Sequence, residues 1–295
     1  MTDDNRWLDE NGTPIDEDHR GLVYDVQTLI DRRRALGIFG GVALTSLLAA
    51  CGAQPTDAAT TTDAASPAAS ATATPSASPS AKGQASEPVT EVPDETGGPY
   101  PGDGSNGVNV LDDSGIVRAD IRSSFGSSTT VAEGVRLTIS LTVRDAATGE
   151  ALAGRGVYLW HCDRDGDYSL YSQGVENENY LRGVQETDAN GTVTFTSVYP
   201  ACYSGRWPHI HFEVYDDVAN AVASGPIVKT SQIALPAEAN TAVYATSGYE
   251  RSVQNAGSVS LQSDNVFSDD GGIHQIATIA GSVADGYTAS LTIGV

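Results

Sequence analysis

The chain has 295 residues, with 38 acidic side chains against 16 basic ones and a formal charge of −22. An acidic surface of that strength repels phosphate backbones, so nucleic acid is excluded as a partner. The length allows one large folded domain or two small ones, and the composition changes sharply along it.

Residues 31–52 read DRRRALGIFGGVALTSLLAACG, in which Arg32, Arg33 and Arg34 precede sixteen mostly apolar or small residues and then Cys51. This is the layout of a secretory signal, and the run is shorter than the ~20 residues that a membrane-spanning helix needs. The paired arginines resemble a twin-arginine export signal. The ending Leu48-Ala49-Ala50-Cys51 resembles the lipobox of bacterial lipoproteins, whose cysteine thiol is acylated and becomes the mature N-terminus. Residues 1–51 are therefore expected to be a signal peptide with a lipidation site at Cys51. The mature protein is expected to be exported and lipid-anchored on the outer face of the cytoplasmic membrane, or extracellular, with the membrane as a partner through Cys51.

Residues 52–91 are dominated by Ala, Thr, Ser and Pro. Few of these side chains can fill a core, so the entropy of ordering is not recovered, and a disordered tether is expected. Residues 92–295 remain for one folded domain.

From residue 92 onward the hydrophobic period is two. In VRLTISLTV, Val135, Leu137, Ile139, Leu141 and Val143 alternate with Arg, Thr and Ser, as a strand with one buried face requires. Further strands are predicted at 156–162, 191–199, 209–215, 226–235 and 287–295, separated by turn clusters such as ATGEALAG and DANG. Short strands, frequent Gly and no long amphipathic helix predict an all-β fold, an antiparallel β-sandwich.

Setting Cys51 aside leaves Cys162 and Cys202, an even pair in a chain bound for an oxidising compartment, which predicts a disulfide. Two buried thiols, or a soft metal site, are the competing readings.

The densest chemical signal is YPACYSGRWPHIHFEVY, residues 199–215. His209 and His211 are two apart on a predicted strand, so both imidazoles leave one face while Ile210 and Phe212 leave the other. Tyr203 and Arg206 lie just upstream, and a second tyrosine cluster, GDYSLYS, follows the strand GVYLWHC. A phenolate is a hard, strongly donating ligand, so two phenols with two imidazoles favour Fe(III) over zinc.

WHCDRDGDYSLY together with PACYSGRWPHIHFEV resembles the intradiol ring-cleavage dioxygenases, the family of catechol 1,2-dioxygenase and protocatechuate 3,4-dioxygenase, over approximately residues 92–295. The resemblance implies one Fe(III) per domain, held by Tyr168, Tyr203, His209 and His211. It also implies that Tyr203 acts as a base toward the substrate and that Arg206 is an active-site arginine. Gln232 in KTSQIALP, and Pro99 and Tyr100 in ETGGPYPGDG, correspond to residues that contact the substrate. The implied reaction opens a catechol ring with O2 to a cis,cis-muconate-type diacid. His161 fits the family pattern without being a ligand, and is expected to be a packed or hydrogen-bonded strand residue. The segment between Tyr203 and His209 is shorter than in the cytoplasmic catechol 1,2-dioxygenases and no helical N-terminal dimerisation region is present, so the chain resembles the compact secreted branch. The alternative is an exported sandwich that captures catechols or siderophores without cleaving them.

Overall fold

The computed structural model describes residues 87–295. The expected signal peptide, the expected lipidation site at Cys51 and residues 52–86 of the expected tether lie outside the described residues.

Among the described residues eight strands form two four-stranded sheets packed face to face. They are β1 (Arg136–Arg144), β2 (Gly156–Trp160), β3 (Arg182–Glu186), β4 (Thr192–Val198), β5 (His209–Tyr215), β6 (Ile227–Ala234), β7 (Thr278–Ser282) and β8 (Gly286–Gly294). The strand order is β4-β1-β8-β7 in the first sheet and β3-β2-β5-β6 in the second. Among the described residues three short helices accompany the sheets: α1 (Val218–Val222), α2 (Ala237–Tyr244) and α3 (Glu250–Ala256).

The all-β sandwich expected from the period-two pattern is the observed architecture. In β1, Leu137, Ile139, Leu141 and Val143 are fully buried while the residues between them are not, as the alternation requires. These four side chains meet Leu159, Phe212, Val214 and Phe195 in one apolar core between the sheets. Among the pairs of named strands one departs from the antiparallel expectation, where β1 runs parallel to β8 in register from Leu137 opposite Tyr287 to Arg144 opposite Gly294. Nearly the whole domain serves as the connection between those two strands, and a long connection is what parallel neighbours need.

Strands β3 and β7 were not among those predicted. In β3 only Val184 is aliphatic, and Arg182 is buried instead of facing water. Strand β7 is an edge strand with three of its five residues exposed, so it carries little alternation.

The expected disulfide is not formed. Cys162 and Cys202 are both free and buried. Cys202 belongs to the core between the sheets, whereas Cys162 belongs to a second cluster on the outer face of the β2-β5 sheet. Each thiol lies against a backbone carbonyl, Cys162 Sγ at 3.8 Å from Ala201 O and Cys202 Sγ at 3.4 Å from Arg206 O. Burial pushes the Cys162 thiol well above its usual range and the Cys202 thiol up to about 12, so both are unreactive.

Candidate metal centre

Strand parity places the two histidines. On β5, Ile210, Phe212 and Val214 enter the core between the sheets, and His209, His211 and Glu213 project from the opposite face. That outer face is covered by loops, so all seven residues of β5 are buried. Register then builds a row across the whole sheet: Arg182 on β3 is opposite Trp160 on β2, Trp160 opposite His211 on β5, and His211 opposite Gln232 on β6. Trp160 and His211 stack with centroids 4.9 Å apart and planes 6° from parallel.

Two loops bring the tyrosines to the same place. Tyr168 sits in a turn after β2, in which Ser172 N–H donates to the Tyr168 carbonyl and Ser172 Oγ accepts from Tyr168 N–H, both at 2.9 Å. The turn is shaped by Asp163, whose Oδ1 accepts from the backbone N–H groups of Asp165 and Asp167. Tyr203 sits in the loop between β4 and β5. The loops are tied together where Ala201 N–H donates to the Asp163 carbonyl at 3.0 Å.

The four side chains converge. Tyr168 Oη and Tyr203 Oη are 3.5 Å apart, and Tyr203 Oη is 3.1 Å from His209 Nε2. The ring centroids of His209 and His211 are 4.8 Å apart, and those of Tyr168 and His211 are 6.3 Å apart. His209 Nδ1 lies 2.5 Å from the Trp207 carbonyl, which fixes that nitrogen as the donor and leaves Nε2 with its lone pair toward the cluster.

Protonation states suit a cation. Burial, reinforced by the Arg206 charge, holds the His209 imidazole well below its usual pKa, so it is neutral. Burial does the same for His211, aided by His209 and Arg206. Burial also pushes Tyr168 well above the ordinary phenol range, so by itself it is a neutral phenol, and a strongly charged cation is what would reverse that. No group of three or more His, Cys, Asp or Glu is placed to hold a metal among the described residues. An ion at this point must therefore draw on phenolic oxygen, and the donor set of two phenols and two neutral imidazoles fits a hard trivalent ion. His211 Nδ1 is buried without a hydrogen-bond partner, a further sign that this ring is not held as part of a closed polar network.

Arg206 is buried and held on two sides. Its Nε donates to Asp264 Oδ2 at 3.0 Å, and a terminal nitrogen donates to Gln232 Oε1 at 2.6 Å. Gln232 in turn donates from Nε2 to the Thr96 carbonyl at 2.9 Å. Asp264, invisible to the sequence reading, also accepts from Trp207 N–H through Oδ2 and from the Val266 and Phe267 N–H groups through Oδ1. A fully buried carboxylate with four donors is a rigid post for the guanidinium. Its sequence context, SDNVF, carries no recognisable signal of this role.

Tyr100 lies against Tyr168 with centroids 4.8 Å apart and planes tilted by 33°, and its centroid is 5.2 Å from that of Tyr171, so the three rings form an aromatic shelf beside the cluster. The neighbouring Pro99 carbonyl accepts from Asn106 Nδ2 at 2.7 Å. Gly98 has φ +71°, and a side chain there would meet His211 Cε1 at 3.3 Å. His161 is buried, with its two ring nitrogens each 2.7 Å from the Cys162 carbonyl and Ser197 Oγ, so it is a hydrogen-bonded residue away from the cluster.

Residues 122–210 match the family model described as Dioxygenase, a span that includes Tyr168, Tyr203, Arg206 and His209. An intradiol ring-cleavage dioxygenase from Tetranychus urticae is similar in structure, at 25% identity and TM-score 0.56, over 70% of this chain and 94% of that one. Also similar are the dioxygenase domain of a carbohydrate-binding fusion from Streptomyces sp. SirexAA-E (22% identity, TM-score 0.44, 70% and 97%) and catechol 1,2-dioxygenase from Acinetobacter sp. ADP1 (18%, 0.37, 60% and 56%). No match was found among curated proteins. Sandwich and family model together define a dioxygenase. Within that class, the chain is similar to the intradiol ring-cleavage dioxygenases.

Proposed function

We propose that the chain cleaves catechol-type aromatic diols with O2 between the two hydroxyl-bearing carbons, giving cis,cis-muconate-type diacids, and that one Fe(III) held by Tyr168, Tyr203, His209 and His211 is its cofactor. The observation that carries this reading is the convergence of two phenols and two neutral imidazoles, with Tyr203 Oη at 3.1 Å from His209 Nε2 and 3.5 Å from Tyr168 Oη. When bound, the ferric ion supplies a Lewis-acidic centre that accepts electron density from a catecholate and so opens its ring to O2.

The protein's own groups have distinct tasks. Tyr203 is partly buried whereas Tyr168 is fully buried, so Tyr203 is the phenol freer to move and its Oη the atom that takes a proton from an arriving catechol hydroxyl. Arg206, locked by Asp264 and Gln232, presents a fixed positive charge to the carbanion-like ring carbon of the substrate. The tilted pair of Tyr100 and Tyr168 offers aromatic surface to a substrate ring. Loops over β5 keep water from the two imidazoles.

Oxygen uptake by the purified full chain on adding catechol, with iron analysis and product identification, tests this. The expected protein is burgundy, holds iron and releases a ring-opened diacid; a colourless, zinc-loaded protein that consumes no oxygen would overturn the assignment. Iron and catechol binding without oxygen uptake would favour the capture module.

We also read residues 1–51 as an export signal with lipid attachment at Cys51, placing the enzyme outside the cytoplasm on a tether. The Arg32–Arg34 cluster, the short apolar run and Leu48-Ala49-Ala50-Cys51 support this. Globomycin treatment is expected to shift the mobility of the chain, and an unshifted band would remove the lipid anchor.

A further inference from the structure

We infer that Arg182 is a positioning residue for the substrate shelf: its buried guanidinium grips the backbone beside both Tyr100 and Tyr168 and thereby sets how an aromatic ring is received. The inference rests on the reading of the site as one for catechols.

Arg182 is 1% exposed, and no carboxylate is within ion-pairing distance of it among the described residues. Its donors go to neutral oxygens. One terminal nitrogen donates to the Pro101 carbonyl at 2.9 Å and to Tyr158 Oη at 3.1 Å. The other donates to the Ser169 carbonyl at 2.9 Å, and Nε donates to Ser169 Oγ at 3.1 Å. Pro101 follows Tyr100 and Ser169 follows Tyr168, so one planar fork joins the two halves of the shelf. The guanidinium carbon also lies 5.5 Å from the centroid of the Tyr171 ring, the third aromatic of the shelf.

The backbone around this fork is shaped to admit it. Gly102 has φ +66°, and an added Cβ would meet an Arg182 terminal nitrogen at 3.0 Å and Leu170 Cδ1 at 3.2 Å. Leu170 and Leu181 both have positive φ, at +76° and +56°, one inside the gripped loop and one immediately before Arg182. Strained non-glycine residues persist where the surroundings over-determine them, and here they bracket the clamp. Arg182 is itself anchored, since Arg118 donates to its carbonyl from Nε at 2.9 Å and from a terminal nitrogen at 2.6 Å. A buried cation without a carboxylate partner is costly in a core, and this one is offset by four hydrogen bonds to neutral oxygens.

The test uses Arg182→Met, Arg182→Lys and Gly102→Ala in the full chain, with steady-state oxygen uptake on catechol and amide hydrogen exchange. Arg182→Met is expected to raise KM about tenfold or more with kcat within about threefold. The Gly102 and Val110 amides, which donate to Tyr171 Oη and to the Gly102 carbonyl, are expected to exchange faster while those of β1 do not change. Arg182→Lys keeps the charge without the fork and is expected to fall between, and it decides the matter should Arg182→Met fail to fold. Gly102→Ala crowds the fork without removing it and is expected to raise KM in the same sense. Parental KM and Gly102 exchange in Arg182→Lys and Gly102→Ala, or exchange rising equally in β1, would overturn the proposal. The exchange measurement needs no turnover, so it still decides if the parent chain consumes no oxygen, in which case the catechol reading fails by itself.

Discussion

Strand β5 has two faces that differ by one residue of parity and in almost every physical respect. Its inner face places Ile210, Phe212 and Val214, none of which carries a polar side-chain group, among aliphatic and aromatic side chains between the sheets. Its outer face places His209, His211 and Glu213 in a layer of tyrosines, buried arginines and backbone carbonyls, where most polar atoms are held by named partners. The inner face is where burial is converted into stability, and the outer face is where that stability is used to keep polar groups dry and fixed. Because a strand alternates strictly, the pattern that builds the core also delivers two imidazoles to one point.

The strongest way to break this contrast is on the outer face. His211→Ala is expected to abolish metal retention and oxygen uptake, a loss beyond the ~100-fold typical of removing a supporting partner, while the melting temperature of the metal-free protein changes little. Metal analysis with calorimetry checks it, and a large fall in metal-free stability would show that the two faces are not separable. One residue along, Phe212→Ala is expected to cost about 3–5 kcal/mol of stability in denaturant titration, with metal stoichiometry preserved in the fraction that folds.

Asp264→Asn probes the support beneath the outer face. It keeps the shape of the post but weakens its hold on Arg206, so kcat/KM is expected to fall about 10- to 100-fold with the metal retained. Equal activity in the variant would mean that Gln232 alone suffices to place the guanidinium.

The smallest effect concerns the rim. Glu95 is pushed up to about 8, chiefly by burial and then by Asp269, with Asp270 acting in the same sense and Gln275 and Arg206 opposing. Its folded-state pKa is above its unfolded value near 4.5, so the stability it contributes is complete below pH 4.5 and is lost as pH rises through 8. Glu95→Gln is expected to flatten the decline in melting temperature over that window, and an unchanged slope would assign the decline to other groups.

Much of the fold was legible because the strands that carry one buried face alternate openly, as β1 and β5 do. Strand β3 was not, because its three buried residues are an arginine, a glycine and only one aliphatic, which reads as a loop. The candidate ligands were legible through HIH, Tyr203 and the GDYSLYS cluster, which all lie within fifty residues of one another. Cys162 and Cys202 misled, because an even count in an exported chain says nothing about which side of a sheet each thiol occupies.

By itself the sequence determined the alternation that makes a sandwich, the face that carries His209 and His211, and the phenol and imidazole chemistry available to a hard cation. These are local properties, written in period and residue type. Only the tertiary structure decided the cross-sheet row from Arg182 through Trp160 and His211 to Gln232, the Asp264 post beneath Arg206, and the separation of the two cysteines. Those depend on register and loop closure between residues far apart in the chain, where a shift of one position exchanges the two faces of a strand and no local pattern records the partner.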